Sequence, residues 1–141
     1  MIIRRATPDD ALDVLIWRND PLTRAMSRTQ DEVEQEAHLA WFSRALDDAA
    51  STLLIGEVGG EKIGMVRFDH GAATEVSINI NPLCRGRGLG HELLSEALTW
   101  ATGDLLAVIK DENLTSRRLF ERAGFELQET TDGLGRYLRR A

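Results

Sequence analysis

A segment rich in glycine and arginine, residues 85–90, has the residue types and spacing best suited to chemistry. It reads Arg-Gly-Arg-Gly-Leu-Gly and lies between a predicted strand and a predicted helix. Backbone N–H groups at a helix N-terminus lack acceptors, and the helix dipole favours negative charge there. Glycines remove the Cβ atoms that would keep an anion at a distance, and Arg85 and Arg87 add positive charge. The segment therefore predicts a binding site for a phosphate or pyrophosphate.

Two common phosphate-binding motifs do not fit this loop. A P-loop ends in Gly-Lys-Ser/Thr, whereas His91 and Glu92 follow Gly90 here. A dinucleotide fingerprint needs Gly-x-Gly-x-x-Gly, but the spacing is Gly-x-Gly-x-Gly and the preceding strand has a polar face. A loop that only turns the chain is the simplest alternative. The strand–loop–helix setting and the two arginines favour binding.

The elements that position this loop follow from hydrophobic periodicity and turn residues. Capping patterns begin a helix that ends near Asn19 and a second helix over 30–46, with Thr29 as its cap. The predicted order is β-α-α-β-β-β-α-β-α-β-β, an α/β (α+β) fold whose mixed, mostly antiparallel sheet is flanked by helices in one domain, 1–141. Strands are predicted at 1–6, 52–58, 62–69, 75–81, 105–110, 125–130 and 134–138. One helix is predicted directly after the glycine loop, and the last helix is predicted over 115–123.

Composition and charge exclude several classes of function. The chain has 141 residues, enough for one domain with its own core, and no apolar run of 18 residues that could span a membrane. A net charge of −6 argues against a general nucleic-acid binder. The single cysteine, Cys84, excludes an internal disulfide and a cysteine-rich zinc site. The first ten residues have no signal-like apolar segment, so we expect a cytoplasmic protein. We also expect no bound metal.

Two motifs together resemble the GNAT family of N-acetyltransferases. The residues R-x-x-G-x-G at 85–90 match the Gln/Arg-x-x-Gly-x-Gly/Ala motif of that family. The residues N-x-x-S-x-x-L-F-x-x-x-G-F at 113–125 resemble the family's segment after its fifth strand. The order of elements agrees over essentially the whole chain. The resemblance implies acetyl-coenzyme A as acetyl donor and a small-molecule amine as acceptor, in a monomer or homodimer.

The resemblance also implies which residues hold the cofactor. The pyrophosphate would lie on backbone N–H groups of the loop, and the pantetheine arm would run like an extra strand along residues 79–81. A backbone N–H near Ile80 would polarise the thioester carbonyl, where negative charge develops as an amine attacks. Asn113 would hold the pantetheine, and Ser116 would lie near the thiol. The implied cofactor-binding residues are Ile80, Asn81, Arg85, Gly86, Arg87, Gly88, Leu89, Gly90, Asn113, Ser116 and Phe120.

Candidate catalytic groups lie on the polar face of the fourth predicted strand. Glu75 is a candidate base for the amine, and Ser77 and Asn79 are candidates for a water chain that would do the same. A solvated charge and hydrogen bonds within the sheet are the simpler interpretations. The family often has a tyrosine acid where this chain has Phe120, and the only tyrosine is Tyr137. Water or another hydroxyl would then protonate the thiolate, unless the thiolate leaves without an acid.

Residues of the first two predicted helices are candidates for binding the acceptor, because the family places acceptor selectivity there. Their pattern, W-R-N-D…R…S…H-L-A-W-F, resembles members that acetylate amino sugars carried on nucleotides, such as enzymes of the pseudaminic acid pathway. It is also similar to the ribosomal-protein and polyamine acetyltransferases. Arg18 could pair with a phosphate and Trp41 could stack on a base or sugar, with Asn19 and His38 as further candidates. Core packing of Trp41 and an ordinary salt bridge of Arg18 are the alternatives.

The combined prediction is an acetyl-CoA-dependent N-acetyltransferase that acts on a primary amine. A nucleotide-linked 4-amino sugar is the preferred acceptor, and a peptide α-amine or a polyamine is the alternative within the class. A non-catalytic acyl-CoA sensor is the alternative outside the class, and Phe120 is the feature that favours it.

Overall fold

The computed structural model describes residues 1–141 and contains seven strands and five α-helices in the order β-α-α-α-β-β-β-α-β-α-β-β. Two short 3-10 turns, Pro8–Asp10 and Pro82–Cys84, precede α1 and the glycine loop. The strands are β1 (Ile2–Arg5), β2 (Ser51–Val58), β3 (Glu61–Asp69), β4 (Thr74–Ile80), β5 (Leu105–Lys110), β6 (Glu126–Thr131) and β7 (Leu134–Arg139). The helices are α1 (Ala11–Asn19), α2 (Pro21–Met26), α3 (Gln35–Asp47), α4 (Leu89–Leu98) and α5 (Leu114–Arg122).

All seven strands form one sheet in the order β1-β2-β3-β4-β5-β7-β6. Every neighbouring pair is antiparallel except β4 and β5, which confirms the predicted mixed sheet. The parallel pair is aligned only where Thr74 faces Leu105 and Glu75 faces Leu106. Beyond these residues β4 and β5 no longer pair, so a gap opens between them toward their C-terminal ends.

Helices cover both faces of this sheet. On β2, Leu54 belongs to one apolar cluster and its neighbours Leu53 and Ile55 to the other, because successive side chains of a strand point to opposite faces. One cluster is completed by α4 and α5, and the other by α1 and α3. Leu93 and Phe42 are the buried anchors of α4 and α3 in these two clusters.

The region between α1 and β2 differs from the prediction. The helix predicted over 30–46 begins at Gln35, and an additional short helix, α2, precedes it. Asp20 accepts a hydrogen bond from the Thr23 N–H (3.1 Å) and so caps α2. The Asn19 side chain bonds both the N–H and the C=O of Val33, at 2.8 and 2.9 Å, and holds this segment out of helical conformation. Thr29 therefore does not cap α3.

A buried carboxylate fastens the start of α1 to the sheet. Asp10 is fully buried and accepts hydrogen bonds from both terminal nitrogens of Arg4, at 2.8 and 2.9 Å, and from the Thr7 N–H at 2.8 Å. Lys62 Nζ lies 2.8 Å from the same carboxylate. Burial alone would raise the pKa of Asp10, but the hydrogen bonds from these groups outweigh it and hold the pKa well below its usual range.

Two glycines let α4 approach the sheet closely. Gly56 and Gly64 face each other across β2 and β3, and Leu93 of α4 lies over both. A Cβ on Gly56 would collide with Leu93 Cδ1. A Cβ on Gly64 would lie 3.0 Å from Leu93 Cδ2 and 2.5 Å from the backbone oxygen of Asn79. The absence of both side chains thus fixes the position of α4, whose N-terminus carries the glycine loop.

Candidate active site

A cavity of about 360 Å³ lies where β4 and β5 separate. Its floor is formed by β3, β4 and β5, and α5 closes one side through Asn113, Ser116 and Phe120. The other side is formed by α1, through Arg18, and by α2 with the residues that follow it. The cavity therefore brings together the face of β4 that the sequence assigned to catalysis and α1, one of the two helices that it assigned to acceptor binding.

The edge of β4 that faces this gap carries unpaired backbone groups. The Asn81 N–H donates to the Ile63 oxygen (2.8 Å), so this N–H points toward β3. Backbone groups of a strand alternate in direction, so those of Ile78 and Ile80 point the other way, into the gap. The Ile80 N–H therefore points into the gap and has no partner strand on that side.

The glycine loop lies beside the end of this edge and presents free N–H groups. Gly86 and Gly88 have φ angles of +74° and +72°, which favour glycine, and a Cβ on either would meet no atom within 4 Å. The N–H groups of Gly86, Arg87 and Gly88 donate no hydrogen bond within the chain, and Leu89 begins α4. A Cβ on Gly90 would lie 3.7 Å from Ile80 Cδ1, so the loop adjoins β4. An open row of donors at a helix N-terminus fits a pyrophosphate.

The side chains of the loop arginines are engaged by carboxylates. Arg85 donates a hydrogen bond to the Asp20 carboxylate, and this bond is the main cause that lowers the pKa of Asp20. Arg85 also donates a 2.9 Å hydrogen bond to Thr23 Oγ1. Arg87 pairs with Glu61 at 2.9 Å, and both side chains are exposed. The backbone of the loop, rather than either guanidinium, is therefore its free anion-binding feature.

Asn81 does not offer the cofactor a free polar group, which corrects its assignment. Its side chain accepts from the Leu83 N–H (3.0 Å) and donates to the Lys62 oxygen (2.9 Å), while its backbone oxygen accepts from the Cys84 N–H (2.8 Å). Its own N–H is used in the sheet. Asn81 shapes the turn that leads into the glycine loop.

On α5, three of the predicted cofactor residues line the cavity together. Asn113 caps the helix by accepting from the Ser116 N–H (3.2 Å), and Phe120 packs edge-on against Phe125 with ring centroids 5.0 Å apart. The only tyrosine does not replace the missing acid. Tyr137 is buried, and its hydroxyl accepts a 3.0 Å hydrogen bond from Arg117 Nε.

The three candidate catalytic residues of β4 divide into two groups. Ser77 and Asn79 line the cavity, and the side-chain oxygen of Asn79 is buried without a hydrogen-bond partner. Glu75 does not line the cavity, and its carboxylate pairs with Arg28 at 3.4 Å. The buried oxygen of Asn79 is available to a water molecule or to an N–H of an acceptor.

Of the four acceptor candidates, the structure brings only Arg18 to the cavity wall. Asn19 is occupied by its two bonds to Val33. His38 is 1% exposed, lies between α1 and α3 with Nε2 2.7 Å from the Ala11 oxygen, and has its pKa lowered by burial and by the charge of Arg18. Trp41 is half-buried outside the cavity, and the Arg18 guanidinium lies over its ring at 5.9 Å from the centroid. Asn19 and His38 thus have structural roles, which corrects their assignment.

Three further cations of the cavity wall were missed from the sequence: Arg28, Arg67 and Lys110. Arg67 had a usable signal, because it interrupts the apolar run of a strand whose neighbours Val66 and Phe68 are fully buried. Arg28 and Lys110 carry no such signal, since a charge in a loop or at a strand end is usually solvated.

No group of three or more His, Cys, Asp or Glu side chains is arranged to hold a metal ion. No helix is both long and apolar enough to span a membrane.

Known proteins similar to this chain were compared by sequence and by structure. YwnH of Bacillus subtilis carries the provisional name phosphinothricin acetyltransferase. It is 29% identical to this chain over 123 residues, which cover 79% of this chain and 75% of YwnH. The spermidine N-acetyltransferase of Vibrio cholerae, solved with CoA and spermine, superimposes with a TM-score of 0.87 at 16% identity over 99% of this chain and 94% of that one. The ribosomal-protein-alanine N-acetyltransferase of Brucella melitensis superimposes with a TM-score of 0.80 at 23% identity over the full length of both chains.

The two structural likenesses show the fold, which is the one that the element order predicted. The family assignment rests on a different match. A family model described as an acetyltransferase (GNAT) domain matches residues 1–126, which include the glycine loop and the α5 motif. The chain therefore belongs to the GNAT family and is an acetyl-CoA-dependent N-acetyltransferase.

Proposed function

We propose that this enzyme binds acetyl-CoA along the glycine loop and the free edge of β4, and acetylates a primary amine bound in the adjoining cavity. One observation supports this arrangement above the others. The free N–H groups of 86–88, the gap-facing backbone of Ile78 and Ile80, and the cavity form one continuous path. A long cofactor would lie along the first two parts and bring its acyl group to the third.

Each part of the path has a separate task in this proposal. Acetyl-CoA supplies an activated acetyl group when bound. The Ile80 N–H donates to the oxygen on which negative charge develops, and a donor in such a position contributes about 2.7–4 kcal/mol in other acyl-transfer enzymes. Ser77 and the unpaired oxygen of Asn79 position a water molecule that takes a proton from the amine. Asn113 and Ser116 hold the arm of the cofactor at the α5 side.

The acceptor that we propose first is a nucleotide-linked amino sugar. The residue pattern of the first two helices supports it, and so does the position of Arg18 at the cavity wall, where a guanidinium can meet a phosphate. A compact amino acid such as phosphinothricin is the second candidate. The similarity to YwnH supports it, and so does a cavity of about 360 Å³, which suits a ligand of that size.

A panel of amines tests the proposed function. The enzyme is incubated with acetyl-CoA and nucleotide-linked amino sugars, phosphinothricin, N-terminal peptides or spermidine, and the released CoA thiol and the product mass are measured. Thiol release with one of the first two classes, together with a product heavier by one acetyl group, is the expected result. Binding of CoA without amine-dependent thiol release in any class would instead identify an acyl-CoA sensor.

A further inference from the structure

The wall of the cavity is charged with one sign. Four cationic side chains line it, whereas no aspartate or glutamate does. The four are Arg18, Arg28, Arg67 and Lys110. A cavity with low-dielectric walls and charges of one sign concentrates ligands of the opposite sign.

The partners of these cations differ, and the difference singles out Arg18. Arg67 pairs with Asp69 (3.0 Å), Arg28 with Glu75 (3.4 Å) and Lys110 with Glu112 (3.8 Å). The Arg18 guanidinium donates no hydrogen bond to the chain and pairs with none of its carboxylates. Arg18 is also half-buried, and its pKa is lowered by burial and by the charge of Arg67. A guanidinium that is partly desolvated and unpaired is costly unless a ligand supplies its counter-charge.

One aromatic ring holds Arg18 and Arg67 together. The guanidinium carbons of Arg18 and Arg67 lie 5.9 and 5.4 Å from the centroid of the Trp41 ring. Attraction to the ring offsets part of the repulsion between two cations and limits the directions in which their side chains extend. Trp41 thus acts by placing two arginines rather than by touching the acceptor, since it does not line the cavity.

We propose that Arg18 and Arg67 form an anion subsite that binds a carboxylate or phosphate group of the acceptor, so that the enzyme selects anionic amines and rejects polyamines. This inference deepens the proposed function and rests on it in one respect, that the acceptor occupies this cavity. It adds to the sequence prediction a second arginine, the aromatic ring that positions both, and an acceptor class that excludes one of the alternatives.

The same charges favour the reactive form of the amine. Nearby cations disfavour an ammonium group relative to a neutral amine, so they lower the pKa of a bound amine. The charged groups that line the cavity are the four cations, and Asp69, Glu75 and Glu112, which do not line it, pair with three of them, so Arg18 keeps an uncompensated charge. The bound amine can therefore be unprotonated although no carboxylate base lines the cavity.

Four small amines of similar reach test the subsite directly. They are 2-aminoethylphosphonate, β-alanine, ethanolamine and 1,3-diaminopropane, which carry a phosphonate, a carboxylate, a neutral hydroxyl and a second ammonium. Binding of each to the enzyme–CoA complex is measured by calorimetry, so that no acetyl transfer is needed. We expect at least one of the two anions to bind at least tenfold more tightly than ethanolamine, and the diamine to bind more weakly than ethanolamine. The phosphonate and the carboxylate distinguish the two sources of negative charge.

Variants then locate the subsite. Arg67→Gln and Arg18→Gln should each remove most of the preference for the anion over ethanolamine and leave CoA affinity within about twofold. Arg44→Gln is the matched control, because Arg44 is exposed on α3 one turn from Trp41 and has no ion-pair partner. Circular dichroism confirms folding, and Arg67→Lys keeps the charge if the glutamine variant unfolds. In that case Lys should retain part of the preference.

Several results would overturn the inference. These are tighter binding of the diamine than of both anions, no binding of either anion, or an anion preference that survives Arg18→Gln and Arg67→Gln together. The proposed function fails separately, when an anion binds at this site but no amine of the wider panel releases CoA.

Discussion

The N–H groups of the glycine loop can hold a pyrophosphate only while position 88 has no side chain, and Gly88→Val tests this. Gly88 has a φ of +72° and its Cβ position borders open space, which is the space a ligand must cross to reach the loop. Valine would fill part of this space and would also favour a different φ, which turns the neighbouring N–H groups away.

The magnitude follows from the bonds that would be lost. A hydrogen bond from an N–H to a charged group contributes about 1.5–3 kcal/mol. Loss of two such bonds from the free donors at 86–88 weakens binding by about 3 kcal/mol or more, which corresponds to at least about a hundredfold in the Kd for CoA. Backbone strain adds about 1–2 kcal/mol to the cost of folding, and it acts on stability rather than on affinity.

A control variant separates strain from loss of the site. Gly103 lies in the turn between α4 and β5 with a φ of +78°, and a Cβ there also meets no atom within 4 Å. Gly103→Val should therefore lose similar stability but bind CoA normally. Calorimetric titration of CoA and thermal unfolding of both variants provide the measurements. A folded Gly88→Val enzyme that binds CoA within threefold of the unchanged protein would refute the placement of the pyrophosphate on this loop.

Three other changes test the fold and the chemistry. Asp10→Asn should lower the free energy of unfolding at pH 7 by about 3 kcal/mol, as for a broken buried ion pair. Folding lowers the pKa of Asp10, so the stability difference between the two proteins should shrink below about pH 4, where the carboxyl of the unfolded chain takes up its proton. Denaturant titrations at several pH values measure this. Gly64→Ala should cost about 1–3 kcal/mol in the same assay, because its Cβ would lie 2.5 Å from the Asn79 oxygen, and an unchanged stability would contradict this close approach. Phe120→Tyr adds a phenol at the cavity wall and should raise the rate of acetyl transfer, whereas a lower rate with an unaltered solvent isotope effect would show that protonation of the thiolate does not limit turnover.

Local patterns in the sequence were sufficient for most elements of the fold. The strand pairs predicted at 52–58 and 62–69 and at 125–130 and 134–138 are joined by the Gly59-Gly60 and Asp132-Gly133 turns, whose four residues all have positive φ angles. The strand–loop–helix setting of 85–90 also agrees with the structure, because glycine spacing and helix capping are properties of neighbouring residues.

Contacts between distant residues account for what the sequence did not predict. The start of α3 depends on the bonds from Asn19 to Val33, fourteen positions away, and the turn that leads into the glycine loop depends on the bond from Asn81 to the Lys62 oxygen. The proposed anion subsite is a further case, since Arg18 and Arg67 belong to α1 and β3 and both lie against the ring of Trp41 on α3. Periodicity within one element contains no information about such meetings.

The pair of glycines under α4 places a constraint on how this sequence can diverge. Gly56, Gly64 and Leu93 occupy one shared volume, so no one of them can change size independently of the other two. Alanine at position 56 would require a smaller residue at position 93, and the two substitutions would have to arise close together in a lineage because each alone is deleterious. Alanine at position 64 would still lie 2.5 Å from the Asn79 backbone oxygen, whatever residue stands at position 93. Variation at positions 56 and 93 should therefore be correlated among descendants of this gene, and position 64 should remain glycine, although none of the three residues lines the cavity.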